Sequence, residues 1–346
     1  MVRELRTLYW KGSRLYLIDQ KALPHRLRYV ALTDYRQVAK AIKDMTVRGA
    51  PAIGVAAAYG LALAALSAKG KDPQKVLERL QKAADVLRST RPTAVNLFWA
   101  IERVMARAEA AARNGEDIAG AVLEEAHAIA EEDVKVNRAI GMHGAQLIKD
   151  GARVMTYCNA GALATVGYGT ALGVIRAAVE QGKRVFVYVP ETRPKLQGAR
   201  LTSFELKMEG IEHRVIPDNT AAFLMSKGEV DLVVVGADRI LASSGHVINK
   251  IGTLSLAIAA NHFNVPFYVA APISTIDFRR TLSEVRIEER DEREVLEVMG
   301  RRIAPKGARA INYAFDVTPP NLVRGIITEK GIFAPTELYR LQPQGS

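Results

Sequence analysis

From Arg153 onward, short β-rich runs alternate with helical ones, and this alternation constrains the fold more than any other feature of the chain. The β-rich runs cover residues 153–157, 185–189, 214–216, 231–235 and 266–270. Between them, residues near 164–180, 197–209, 219–226 and 251–261 carry helical spacing. A strand that returns to its sheet through a helix runs parallel to its neighbour, and the helices must cover both faces. The expected fold class is α/β, a doubly wound parallel sheet.

Upstream of Arg153 the pattern differs. Thr7-Leu8-Tyr9-Trp10 and Arg14-Leu15-Tyr16-Leu17-Ile18 flank a Gly12 turn and read as a hairpin, with residues 27–32 as a third strand. Thr33 is the expected N-cap of a helix running to Ile42. Residues 76–87, 94–111 and 118–147 then place apolar side chains three and four apart, and Asp150-Gly151 is the expected stop of the last helix. This divides the chain into a mostly helical N-terminal domain that begins with a small antiparallel β element, residues 1–145 with a long connecting helix, and an α/β domain, residues 146–346.

Composition excludes several function classes. The 48 Lys and Arg outnumber the 37 Asp and Glu for a net charge of +11, but the excess is scattered. Arg279, Arg280, Arg301 and Arg302 alternate with Glu284, Glu288, Glu289 and Asp291, and only 6% of residues are aromatic, so no nucleic-acid partner is expected. A positive field suits a small anionic substrate equally well. A single cysteine excludes an intrachain disulfide or a Cys-based zinc cluster and fits a cytoplasmic protein. The first residues carry Glu4 and no apolar core of a secretory signal. The uncharged run from Gly49 to Ala68 is mostly Ala and Gly and contains Pro51, so it reads as a buried core helix rather than a membrane span.

Open parallel sheets bind ligands beyond the carboxyl ends of their strands. After the first predicted strand comes Cys158-Asn159-Ala160-Gly161, and after the second Pro190-Glu191-Thr192-Arg193-Pro194-Lys195-Leu196-Gln197-Gly198. After the fourth comes Gly236-Ala237-Asp238-Arg239, and Asn249-Lys250-Ile251-Gly252-Thr253 opens the next helix. A thiol, a polar basic loop and a carboxylate are thus delivered to one rim. Each also has a plainer reading: Cys158 as a small buried hydrophobe, Asp238 as a cap or a partner of Arg239, Glu191 and Arg193 as a solvated pair. Cys158 stands at a strand end before a Gly-containing turn and an expected helix start, and a helix N-terminus would favour its thiolate.

Val47-Arg48-Gly49-Ala50-Pro51-Ala52 puts Pro at a first helical position, where free N–H groups and Arg48 form an anion site, and Ser89-Thr90-Arg91-Pro92-Thr93 repeats the arrangement. The plainer reading is a pair of Pro-started helices whose arginines face water. No Walker A run is present. Gly167-Tyr168-Gly169-Thr170-Ala171-Leu172-Gly173 misses the dinucleotide spacing, and its small residues are expected to seat a helix close to the sheet. The histidines show no metal-ligand spacing, and no nucleophile elbow occurs.

In order along nearly the whole chain, Val47 to Gly54, Arg91 to Leu97, Cys158 to Gly161, Glu191 to Pro194 with Gln197 to Thr202, Gly236 to Arg239 and Asn249 to Thr253 resemble the 5-methylthioribose-1-phosphate isomerases, aldose–ketose isomerases of methionine salvage. Their superfamily also holds ribose-1,5-bisphosphate isomerases and the regulatory subunits of the exchange factor for translation initiation factor 2. The resemblance implies a Rossmann-like C-terminal domain, a homodimer, a sugar phosphate substrate, no membrane partner, and no metal or nucleotide cofactor. It implies catalytic roles for Cys158 and Asp238, and substrate binding by Arg48, Gly49, Ala50, Arg91, Gln197, Asn249 and Lys250. The alternatives it leaves are a ribose-1,5-bisphosphate isomerase and a non-catalytic translation-factor scaffold.

Overall fold

The computed structural model describes residues 5–91 and 94–342. Two compact units are present, one holding the chain up to Arg138 together with Gly161–Gly169, the other Ala139–Ala160 and the chain from Thr170 onward.

The first unit opens with β1 (Leu8–Lys11), β2 (Arg14–Ile18) and β3 (Tyr29–Leu32), an antiparallel sheet in that order. Gly12 and Ser13 both take positive φ, 54° and 61°, as the tight primed hairpin turn between twisted strands requires. Helix α1 (Tyr35–Lys43) is capped by Asp34, which accepts from the Arg36 N–H, so the expected cap at Thr33 is one residue early; the Thr33 N–H donates to Gln37 instead. Helix α2 (Ala50–Leu66) packs against α1, α3 (Pro73–Arg88) and α4 (Val95–Asn114), and it is buried on every side except at Leu66. Its Ala and Gly side chains let three helices approach one axis, which accounts for the uncharged run. Among the described residues no helix is long and apolar enough to cross a membrane.

Helix α5 (Ile118–Ala145) ends before the expected Asp150-Gly151 stop, and the division between the units falls within it. The second unit continues with β4 (Ala152–Met155), α6 (Ala171–Glu180), β5 (Val185–Pro190), α7 (Ser203–Met208), β6 (Glu212–Ile216), α8 (Thr220–Ser226) and β7 (Leu232–Val235). Then follow β8 (Arg239–Leu241), β9 (Val247–Lys250), α9 (Thr253–His262), β10 (Phe267–Ala270), β11 (Ile276–Asp277), α10 (Arg293–Leu296), the short hairpin β12 (Glu297–Val298) and β13 (Arg301–Arg302), β14 (Phe315–Thr318), β15 (Gly325–Thr328) and β16 (Gly331–Phe333). The main sheet has the order β16-β15-β10-β7-β4-β5-β6 and is parallel except for β16, as the α/β expectation required. Its central strands are buried on both faces: Val154, Val187, Val233, Val234, Val235 and Val269 are fully shielded. A smaller sheet of order β11-β8-β9-β14 follows directly from β7.

Two sequence expectations about helix starts fail. The helix expected from residue 164 begins only at Ala171, because Tyr168 and Gly169 adopt left-handed backbone (φ 70° and 83°) that an α-helix excludes. Gly167 and Gly169 therefore lie before the helix, not on a face of it. Helix α4 begins at Val95 with Ala94 as its cap, so Arg91 does not sit at a Pro-started helix; Pro92 and Thr93 lie outside the described residues.

Candidate active site

In the main sheet β4 pairs with β5 on one side and with β7 on the other, all parallel. The chain winds outward from β4 through β5 to β6, then returns to place β7 against the free side of β4. The crevice at such a reversal is where open α/β sheets bind ligands. Register puts Met155 beside Val233, so Cys158 follows the end of β4 at the same level as Gly236 after β7, two residues from Asp238. A Cβ on Gly236 would come within 2.7 Å of the Ala160 Cβ, so glycine lets the two strand-end loops touch.

Cys158 is a free, buried thiol, 7% exposed, on a left-handed backbone with φ 59°. Only a single 3-10 turn, Ala162–Ala164, follows the Gly161 turn, and the α-helix begins at Ala171, so no α-helix N-terminus directly follows the thiol. Its N–H donates to Thr192 Oγ1 at 3.0 Å, and its carbonyl accepts from Thr202 Oγ1 at 2.6 Å. Thr202 ends a π-turn, Gly198–Thr202, that leads into α7. Gly198 is required there, since a Cβ would lie 1.9 Å from the Pro190 carbonyl oxygen. Gln197, in the same loop, is buried, and its Oε1 has no hydrogen-bond partner.

The loop after β5 is fastened by a residue that the sequence reading missed. Asp218, two residues past the end of β6, accepts from the Thr192 and Arg193 N–H groups, both at 2.7 Å. The available signal was its position at a strand end, the same signal that marked Cys158 and Asp238. The Arg193 guanidinium donates to the Val295 carbonyl rather than forming a solvated couple with Glu191.

Asp238 is half-buried, and its N–H donates to the Ile248 carbonyl at 3.0 Å, which joins the β7 rim to β9. The neighbouring Arg239 pairs with Asp277 at 3.1 Å. Asn249 and Lys250 end β9, a strand in the smaller sheet, and the segment then opens α9 at Thr253, as expected. Asn249 donates to Thr253 Oγ1, and the Lys250 ammonium donates to the Ala314 carbonyl at 2.8 Å above the Phe315 ring. Asp316 stands opposite Asn249 on β14, and its Oδ2 accepts from the Gly252 and Leu254 N–H groups. Burial pushes the Asp316 carboxyl up to about 6. Tyr157 donates to the Ile251 carbonyl; burial, then the nearby Asp218, Cys158, Asp316 and Glu191, push its hydroxyl up. Carboxyls from three other segments therefore act on the hydroxyl of the residue before the thiol.

The structure gathers Cys158, Gln197, Asp238, Asn249 and Lys250 along one rim of the second unit. In the first unit, Gly49 (φ 96°) caps α2 ahead of Pro51, as expected. A Cβ on Gly49 would meet the Ala164 backbone at 2.4 Å. Arg48 is half-buried, Ala50 is buried, and Arg91 is buried where the chain leaves α3. Among the described residues no three His, Cys, Asp or Glu side chains are grouped to hold a metal ion.

Residues 46–335 match the model of the initiation factor 2 subunit family. A relative named methylthioribose-1-phosphate isomerase, from Desulforamulus reducens, is 55% identical over 96% of this chain and 96% of its own. The crystal structure of 5-methylthioribose 1-phosphate isomerase from Pyrococcus horikoshii OT3 superimposes with a TM-score of 0.88 at 42% identity, covering 97% of this chain and 96% of that one. A crystal structure of the translation initiation factor eIF-2B, subunit delta, from A. fulgidus gives a TM-score of 0.84 at 48% identity, over 98% of both chains.

Proposed function

The chain belongs to the initiation factor 2 subunit family, and from that membership we propose that it is an aldose–ketose isomerase of methionine salvage, converting 5-methylthio-α-D-ribose 1-phosphate into 5-methylthio-D-ribulose 1-phosphate. The observation that carries the reading is the near full-length match to relatives named for this activity. A thiol and a carboxyl following neighbouring strands at the reversal of the sheet support it.

The substrate's anomeric oxygen carries phosphate, so the ring cannot open as a free hemiacetal. In the proposed reaction Asp238 donates a proton to the ring oxygen as the C1–ring-oxygen bond breaks, with the phosphate retained. Two balanced routes then follow. In one, the C2 hydrogen moves with its electron pair to C1, and the C2 hydroxyl returns a proton to the Asp238 carboxylate; Cys158 stabilises the charge. In the other, the Cys158 thiolate removes the C2 proton to leave the enol and then delivers a proton to C1, while the C2 hydroxyl returns its proton to the Asp238 carboxylate. Both end in the C2 ketone.

Arg48, Gly49, Ala50, Arg91 and Lys250 are assigned to the phosphate, and Gln197 and Asn249 to sugar hydroxyls. The buried Oε1 of Gln197 suits that role, as an acceptor without a protein donor. The resemblance further suggests a homodimer in the cytoplasm, which light scattering would report as twice the chain mass.

Incubation with 5-methylthioribose 1-phosphate and, separately, ribose 1,5-bisphosphate tests the reading. Turnover of the first is expected. Turnover of the second alone would reassign the substrate. No turnover of either would favour the scaffold reading that the eIF-2B subunit delta likeness suggests. Substrate deuterated at C2 then separates the routes, since retention at C1 marks the hydride shift and loss to water the proton transfer.

A further inference from the structure

We infer that Thr192 and Thr202 are positioning residues that hold Cys158 in its left-handed conformation and so fix the direction of its sulfur. The inference rests on the reading of Cys158 as a reacting group. Both peptide groups of this one cysteine are tied to side-chain hydroxyls from other segments: the N–H to Thr192 and the carbonyl to Thr202. Left-handed backbone is sparsely populated by non-glycine residues and persists only where the surroundings determine it from several sides. Thr192 is itself left-handed, at φ 66°, although β-branched residues are least suited to that region. Two N–H bonds to Asp218 hold it there, through Thr192 and Arg193.

Thr202 is held from its other side. Asn159, next to the cysteine, donates through Nδ2 to Thr202 Oγ1 at 3.2 Å and to Glu205 Oε1 at 2.8 Å. The second oxygen of Glu205 accepts from Arg176 at 2.7 Å, and Arg176 also pairs with Glu209. Thr192, Thr202 and Glu205 are fully shielded from solvent. Packing alone would be served by glycine at residue 158 and by apolar residues around it. Two hydroxyls on the two sides of one strained residue, backed by a buried ion pair, leave the Cα–Cβ bond one direction.

Thr202→Val replaces the hydroxyl by a methyl of similar size, while Thr202→Ser keeps the donor. The chain's single cysteine makes iodoacetamide labelling an unambiguous second readout. For Thr202→Val we expect kcat to fall about 10- to 100-fold with KM within about twofold, as for a misplaced reacting group. Labelling of Cys158 should speed up about threefold or more as the thiol gains exposure. Thr202→Ser should restore both. Thr202→Ala loses the same donor and carries the same expectation where Thr202→Val does not fold. Wild-type kcat and labelling in the donor-less variants, with Cys158→Ala inactive, would overturn the inference alone, as would a Thr202→Ser as impaired as Thr202→Val. A fully active Cys158→Ala would instead remove the reading on which it rests.

Discussion

Burial pushes the carboxyl of Asp316 up to about 6 even though two backbone N–H groups and the nearby Lys250 ammonium favour its ionised form. Its Oδ1 is buried with no hydrogen-bond partner, so only Oδ2 is solvated by the protein. The unfolded chain ionises this group near its ordinary value of 3.8, while the fold holds the proton until about 6. A raised carboxyl value means that the fold binds the proton better. The group is therefore neutral in both states at low pH, and the fold loses stability as pH rises from about 4 to about 6, with no further loss above that. A displacement of roughly two pH units corresponds to about 3 kcal/mol. Asp316→Asn removes the titration and keeps an oxygen for the Gly252 and Leu254 N–H groups. Urea unfolding followed by far-UV circular dichroism, at about pH 4 and about pH 7.5, should show the variant gaining about 2–3 kcal/mol on the wild type between the two. Asp133, Glu209 and Glu329 are also raised by burial, but they titrate in both proteins and cancel in the difference. A stability difference that stays constant with pH would refute the account of Asp316 as a carboxyl held neutral by burial.

Other perturbations test the remaining parts of the rim. Asp238→Asn should lower kcat by about 10²- to 10⁴-fold, the range for losing a positioned acid, while its melting temperature stays at the wild-type value; unchanged turnover removes Asp238 from the proton path. Gly198→Ala forces a Cβ against the Pro190 carbonyl and should cost about 1–3 kcal/mol in urea unfolding, together with most of the turnover, since the displaced loop carries Gln197. Glu205→Gln removes one of the two carboxylates that pair with the buried Arg176 and should destabilise by about 3 kcal/mol in urea unfolding.

The alternation of strands and helices was legible because each buried parallel strand reads as a short Val- and Ile-rich run between helical segments. The rim followed from that, since the residue after a strand end is fixed once the strand is located. The smaller sheet was not legible. Asn249 and Lys250 in β9 are polar, and Arg239 and Asp316 put charges into β8 and β14, so no alternation marks them as strands. What buries them is pairing between segments far apart in sequence, a tertiary effect that no local pattern records.

The same limit explains the misplaced helix after Cys158 and bears on how the site works. The helical spacing from residue 164 ran across Gly167 and Gly169, and propensity alone does not say that the backbone there turns left-handed. Neither cysteine nor threonine advertises positive φ, and at Cys158 and Thr192 it goes with hydrogen bonds to Thr192, Thr202 and Asp218 that no local pattern records. Each non-glycine residue in that region costs about 1–2 kcal/mol. The local preference of the chain is thus overridden where β4, β5 and β6 end side by side. Had the thiol needed only burial, a relaxed extended residue at the end of β4 would have provided it. On the proposed reaction the thiol must keep one direction relative to the sugar, and the left-handed backbone at Cys158 and Thr192 is then the cost of that geometry.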